Sequence, residues 1–436
     1  MRVVIVGGGI AGLMAAYRLS KSGAQVTVLE KENVLGGLAS SFRMGGGEIE
    51  RYYHFICRSD RHLLETLREL GLCKRLHWVK TKMGLFYNGR LYPFGEPWDL
   101  LFFPPFNLLE RLKFGWGIIS VKAQDHSAWR RIEDLRAEKW LVDIFGEKAY
   151  QVVHKPLIEL KFGEYAPRLS AAWMWARIHR LGKSRTRLTQ REILGYVEGG
   201  TNSLINELAR GIVRLGGRIL KATAARRVVI QDNRVVGVDA GNRYPADVVI
   251  STIPTPAFLG LLENPAGEYF DRVSSIASIG VMCMLLRLKR SLTRNFWTNL
   301  SHPGVSLAGI IEYTNLNPCP HFDEDSILYL PQYLSSTSER YSTPDDTLLQ
   351  EYCGYLKLVN HDFNVHWIRE YHVFRDRFAQ PICEVGFSKQ TPGMRTPIRG
   401  LFVTDSCQLH PQDRTVSNSL GLGQEVARLV LEERER

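Results

Sequence analysis

A chain of 436 residues is too long for one small core and fits two closely joined domains. Its 44% hydrophobic and 23% charged content excludes a disordered or low-complexity class, and no apolar run reaches the roughly 18 residues of a spanning helix. The net charge of +11 comes without a nucleic-acid-binding module, and seven scattered cysteines with no C-x-x-C pair point to a reducing, cytoplasmic compartment rather than a disulfide framework or metal site.

The chain opens on VVIVGGGIAGLMAAYRLSKSGAQVTVLE. Val3–Val6 reads as a short buried strand, and Gly7, Gly9 and Gly12 form G-x-G-x-x-G at its end. A helix from Ile10 and Ala11 to about Ser22 follows, its N-terminal N–H groups and dipole aimed at phosphate. Val26–Leu29 is a second strand. It ends at Glu30-Lys31, near the spacing of the acid that accepts ribose hydroxyls in dinucleotide sites, about 20 residues on. A second glycine pair begins Gly36-Gly37-Leu38-Ala39.

The whole stretch resembles the fingerprint of the superfamily that holds flavin amine oxidases, protoporphyrinogen oxidases, phytoene desaturases and UDP-galactopyranose mutases. The resemblance implies FAD as cofactor, with Gly37, Leu38 and Ala39 along its diphosphate and ribityl chain. It also implies an α/β fold, in which a Rossmann-like FAD-binding domain (1–83, 195–258, 393–436) interleaves with an α+β substrate domain (84–194, 259–392).

In chain order, Ser41–Ile56 reads as a glycine turn into a strand ending at Tyr52, Tyr53 and His54. In the family this region passes the flavin ring, so His54 is a candidate catalytic neighbour, with a buried structural histidine as the other reading. Ser59–Leu72 reads as a helix and Gly84–Phe94 as a hairpin around Asn88-Gly89. Trp98–Ile119 is rich in Phe, Leu and Trp, which suits helical core or a segment facing a membrane. Ile132–Phe145 continues helical, with Asp134 as its cap.

Pro156–Arg187 resembles an uncharacterised protoporphyrinogen-oxidase-like branch that shares Lys161, read here as an ion-paired structural residue. Arg177, Arg180, Lys183, Arg185, Arg187 and Arg191 form a basic run that suits phosphate, an anionic membrane or plain solvent. Further on, the resemblance implies that backbone near Val228 reads the adenine. It puts Cys283, on a strand Val281–Leu288, where flavin amine oxidases carry a lysine. Glu312 and Tyr313 follow an apolar strand as candidate catalytic groups. Gly400–Arg428 resembles the second FAD motif. Asp405 would lie at the ribityl or diphosphate region, Ser419 and Leu420 would turn helix N–H groups to the ring, and Arg414 would add positive charge.

These readings give an FAD-dependent oxidoreductase that moves a hydride from a C–C or C–N bond of a small, hydrophobic substrate to the flavin. A redox-neutral mutase of a nucleotide sugar is the alternative. Lipid-linked substrates and peripheral membrane contact fit the first, arginine clamps on a diphosphate the second, and the electron acceptor is not legible.

Overall fold

The computed structural model describes residues 1–185 and 192–434. One layer is a five-stranded parallel sheet in the order Leu401–Val403, Val248–Ser251, Arg2–Val6, Gln25–Leu29, Arg218–Leu220. Strand alternation explains why its sequences are apolar throughout. Val3 and Ile5 enter a core with Leu13 of helix Ile10–Lys21, Leu208 of helix Gly200–Arg214 and Val426 of helix Val416–Arg434. Val4 and Val6 enter a second core with Val228, Val235, Phe258 and Phe270 on the opposite face. This is the Rossmann-like layer expected from the opening motif. Its first and last helices cross closely: a side chain on Gly423 would come within 2.3 Å of the Ala11 carbonyl.

The other layer is a seven-stranded sheet in the order Ile368–Pro381, Ser278–Leu288, Ser326–Ser335, Gly309–Glu312, Trp297–Ser301, Met83–Tyr87, Arg90–Pro93. All its pairs are antiparallel except Trp297–Ser301 with Met83–Tyr87. The edge hairpin turns at Asn88 and Gly89 with φ of 47° and 75°, the left-handed pair that an Asn-Gly turn supplies. Helix Asp345–Val359 covers one region of this sheet through Leu348, Tyr352 and Leu356.

Several local expectations change. The stretch after Ser40 is a hairpin, Ser41–Met44 with Gly47–Glu50, and Tyr52–His54 lie in the coil beyond it. Asp134 caps nothing: the helix spans Ala137–Phe145, and Asp134 pairs with Lys389 at 3.2 Å. The basic run divides. Arg177 pairs inward with Asp413 at 3.0 Å and Arg180 with buried Asp60 at 2.9 Å, while Arg187 and Arg191 lie outside the described residues.

Trp98–Ile119 supplies two helices, Pro97–Leu101 and Leu108–Ala123. Phe103, Phe106 and Phe114 point into the core, yet Trp98, Phe102, Leu109, Leu112, Trp116 and Ile119 are exposed. Arg111 bonds the carbonyls of Phe106 (2.8 Å) and Leu101 (2.6 Å), tying the two helices together. Among the described residues no helix is long and apolar enough to cross a membrane.

Candidate active site

The glycine turn joins the strand Arg2–Val6 to the helix Ile10–Lys21, whose N-cap Gly9 has no side chain to satisfy the first-turn donors at Ile10, Ala11 and Gly12. A side chain built at Gly9 would meet nothing within 4 Å, so open space lies at the head of this helix. The second glycine pair closes against the first: Gly36 N–H donates to Gly8 O at 2.8 Å, and Gly37, Leu38 and Ala39 form the next turn. Glu30 is buried, and its carboxylate accepts from the N–H groups of Gly8 (2.7 Å) and Glu32 (2.9 Å). Lys31 stands exposed beside it.

Two expected cofactor contacts are already engaged within the protein. The Val228 N–H donates to Leu261 O at 2.9 Å, so it has no donor left for a base. The chain beside Glu30 is instead Ala222–Ala225, where Thr223 N–H donates to Glu30 O at 2.8 Å. Asp405 accepts from Thr255 N–H (2.9 Å), the Thr255 hydroxyl and Cys407 N–H (2.7 Å). Its carboxylate holds the turn after Leu401–Val403 to the end of Val248–Ser251 rather than reaching outward.

At the last helix, Ser419 N–H donates to Thr415 O and Asn418 N–H to Thr415 Oγ1, while Leu420 is fully buried. The first-turn donors are therefore those of Val416 and Ser417, one turn earlier than Ser419 and Leu420.

Val416 lines a small cavity together with His54, Glu50, Thr201 and Tyr313. Burial, helped by the neighbouring Arg414, pushes the His54 imidazole down to about 4, so it is neutral at pH 7. Its Nδ1 has no hydrogen-bond partner among the described residues. Glu50, which the sequence reading passed over, accepts the Thr201 N–H at 2.9 Å at the start of helix Gly200–Arg214, and burial raises its carboxyl. The signal was present in G-E-I-E: Ile49 and Glu50 are both buried at the hairpin's end.

Tyr313 is buried against Tyr329 with ring centroids 5.6 Å apart. Glu312, its neighbour, is turned away. Its carboxylate accepts from Ser291 Oγ (2.6 Å), Leu292 N–H (2.8 Å), Thr293 N–H (2.8 Å), Thr293 Oγ1 (3.0 Å) and Ser326 Oγ (2.7 Å). The structure thus gathers His54, Tyr313 and Arg414 but not Glu312.

Around this end stand Tyr52, Tyr53, Tyr333 and Trp297. The Tyr53 and Tyr333 hydroxyls are 3.4 Å apart, and the Tyr53 ring meets Trp297 edge-on at 5.0 Å. Burial alone would raise the Asp413 carboxyl, but Lys161, Arg177, Arg414 and Arg180 hold it below the usual carboxylate range. Trp175 donates its indole N–H to Gln124 and stacks on His179 at 4.5 Å.

The open head of a glycine-turn helix, an acid in ribose register and an orphaned imidazole nitrogen at the far end fit an extended dinucleotide. Comparison with known proteins agrees. The family described as flavin containing amine oxidoreductase matches residues 10–408. The chain belongs to that family.

A relative, 15-cis-phytoene desaturase of Synechococcus elongatus, is 20% identical over 93% of this chain and 90% of its own. Among solved structures, a protein titled putative protoporphyrinogen oxidase from Exiguobacterium superposes with TM-score 0.76 at 18% identity, covering 99% of both chains. A reduced UDP-galactopyranose mutase superposes with TM-score 0.75 at 15% identity, covering 99% of this chain and 95% of its own. This flavin containing amine oxidoreductase is an FAD-dependent oxidoreductase enzyme. On the strand Ser278–Leu288 buried Cys283 lies between Pro331 and Phe374 of the neighbouring strands.

Proposed function

We propose that the enzyme takes a hydride from a C–C or C–N bond of a hydrophobic substrate that it meets at a membrane surface. The observation that carries this reading is the apolar face of helices Pro97–Leu101 and Leu108–Ala123, where Trp98, Phe102, Leu109 and Trp116 are each at least 66% exposed. An exposed patch of that kind marks a contact surface for lipid or an apolar ligand. Bound FAD supplies the two-electron acceptor.

The residues at the ring end suit this role. His54, neutral and enclosed, does not take up a proton near pH 7. Arg414 and the donors of Val416 and Ser417 put positive potential where a hydride acceptor gathers negative charge. Tyr52, Tyr53 and Tyr333 offer an aromatic wall to the substrate. We take 1–83, 195–258 and 393–436 as the FAD-binding part, since every strand of the parallel sheet comes from these segments, and 84–194 with 259–392 as the substrate part.

The nucleotide-sugar reading has less support. Of its clamp residues Arg177, Arg180, Arg185 and Arg414, Arg180 is held by buried Asp60, and Trp175 is covered by His179.

Flotation with phosphatidylglycerol/phosphatidylcholine vesicles tests the surface. Fully burying one large apolar side chain is worth about 1.5–3 kcal/mol, so replacing Phe102 and Trp116 together by serine is expected to weaken vesicle binding at least about tenfold. FAD content should be unchanged. Equal binding by the double variant would remove the membrane from the proposal.

A further inference from the structure

We propose that Lys161, with Arg414 and Arg177, forms an oxyanion subsite that receives a carboxylate or phosphate carried by the substrate. This rests on the hydride-transfer reading above and narrows its substrate class to an apolar body with an anionic end.

Lys161 lies near the end of helix Lys155–Phe162, one residue before Phe162. Its Nζ sits 4.8 Å from the Trp173 ring centroid, 5.0 Å from that of Tyr333 and 5.3 Å from that of Phe162. Among the described residues it makes no hydrogen bond and has no carboxylate within 4 Å, contrary to the ion-paired role expected from the sequence. The ring faces return only part of what an ammonium loses on leaving water. Three N–H donors are thus left without an acceptor in a half-buried group.

The local charge is unbalanced. Lys161, Arg177 and Arg414 share Asp413, whose Oδ2 is taken by Arg177 at 3.0 Å and whose Oδ1 accepts the backbone N–H of Arg414 at 2.9 Å. The next cation, Arg180, has its own partner in Asp60. A bound oxyanion would offset the excess and accept from the ammonium. Of the Tyr53 and Tyr333 hydroxyls, 3.4 Å apart, one can donate further, and the rings of Trp173 and Tyr333 stand beside the ammonium. A substrate bearing an ammonium would face like charge here.

The groups facing Lys161 also set a pH dependence. Burial pushes the ammonium down to about 7, Asp413 and Cys383 oppose this, and Arg177 and Arg414 add to it. Oxyanion affinity is therefore expected to be flat below about pH 7 and to fall about tenfold per pH unit above it, as Lys161 loses its proton.

The test uses FAD-loaded protein and four probes with one alkyl chain: decanoate, decyl phosphate, decanol and decylamine. Binding is followed by calorimetry and by perturbation of the flavin absorbance. Decanoate or decyl phosphate should bind at least about tenfold more tightly than decanol and decylamine, and the tighter of the two identifies the headgroup. Lys161→Met, which keeps the contacts with the rings, should erase that preference at unchanged FAD content. Lys161→Arg should restore it and flatten the pH profile. Equal affinity of all four probes, failure of both anions to bind, or an unaltered preference in Lys161→Met would each overturn the subsite and leave Lys161 as packing. Hydride transfer is judged separately by flavin bleaching, so either reading can fail alone.

Discussion

Gly12→Ala is expected to yield protein without flavin. A Cβ at Gly12 would stand 2.1 Å from the Gly7 carbonyl oxygen and 2.7 Å from Thr252 Oγ1. Neither can retreat easily. Thr252 Oγ1 bonds both Val6 O (3.2 Å) and Gly7 O (3.1 Å), and Gly7 N–H is fixed to Leu29 O at 2.9 Å. Overpacking against side chains costs about 1–3 kcal/mol, and here the obstacle is backbone of the turn itself. Gly9→Ala makes the informative contrast, since nothing lies within 4 Å of its added methyl. That variant should keep its stability within about 0.5 kcal/mol yet lose FAD affinity by about tenfold or more, because the methyl enters the diphosphate space. Flavin absorbance per protein after gel filtration, read beside Tm, checks both. Stoichiometric FAD in Gly12→Ala would contradict the assignment of the turn.

Glu312→Ala is expected to damage stability rather than chemistry. The carboxylate collects five hydrogen bonds from Ser291, Leu292, Thr293 and Ser326 inside the sheet layer. Its removal strands at least the N–H groups of Leu292 and Thr293, each at about 1–3 kcal/mol, for a total of roughly 3–5 kcal/mol. In a chain this large that lowers Tm by only about 3–6 °C. Glu312→Gln, which keeps one acceptor oxygen, should fall between. A large loss of turnover at native Tm would instead mean that Glu312 reaches the substrate.

The contrast between Gly12 and Glu312 shows what the sequence makes legible. The glycine turn and Glu30 are local: a strand, a turn and a helix in immediate succession leave one geometry, and the spacing can be read directly. Glu312 follows an apolar strand just as a site residue would, but four of its five hydrogen bonds come from a loop some 20 positions earlier and the fifth from Ser326. Arg177 and Arg180 look like part of a surface charge run because their partners, Asp413 and Asp60, lie 236 and 120 positions away. Val228 reads as an adenine contact only until the fold brings up Leu261, whose carbonyl takes its N–H. Ser419 and Leu420 missed the free donors by one turn because the helix start depends on Thr415, which caps Asn418 and Ser419. Lys161 was legible as a residue but not as a group without a partner, since only the folded chain sets three rings around it.

The most direct measurement is an anaerobic visible spectrum of the purified protein before and after addition of membrane lipid extract. The expected result is a yellow protein with bound FAD whose flavin band bleaches with the extract, and does so more slowly in Lys161→Met. A flavin that stays oxidised with every lipid, but once reduced by dithionite binds and isomerises a UDP-sugar, would contradict hydride transfer from a hydrophobic substrate and make the enzyme a mutase.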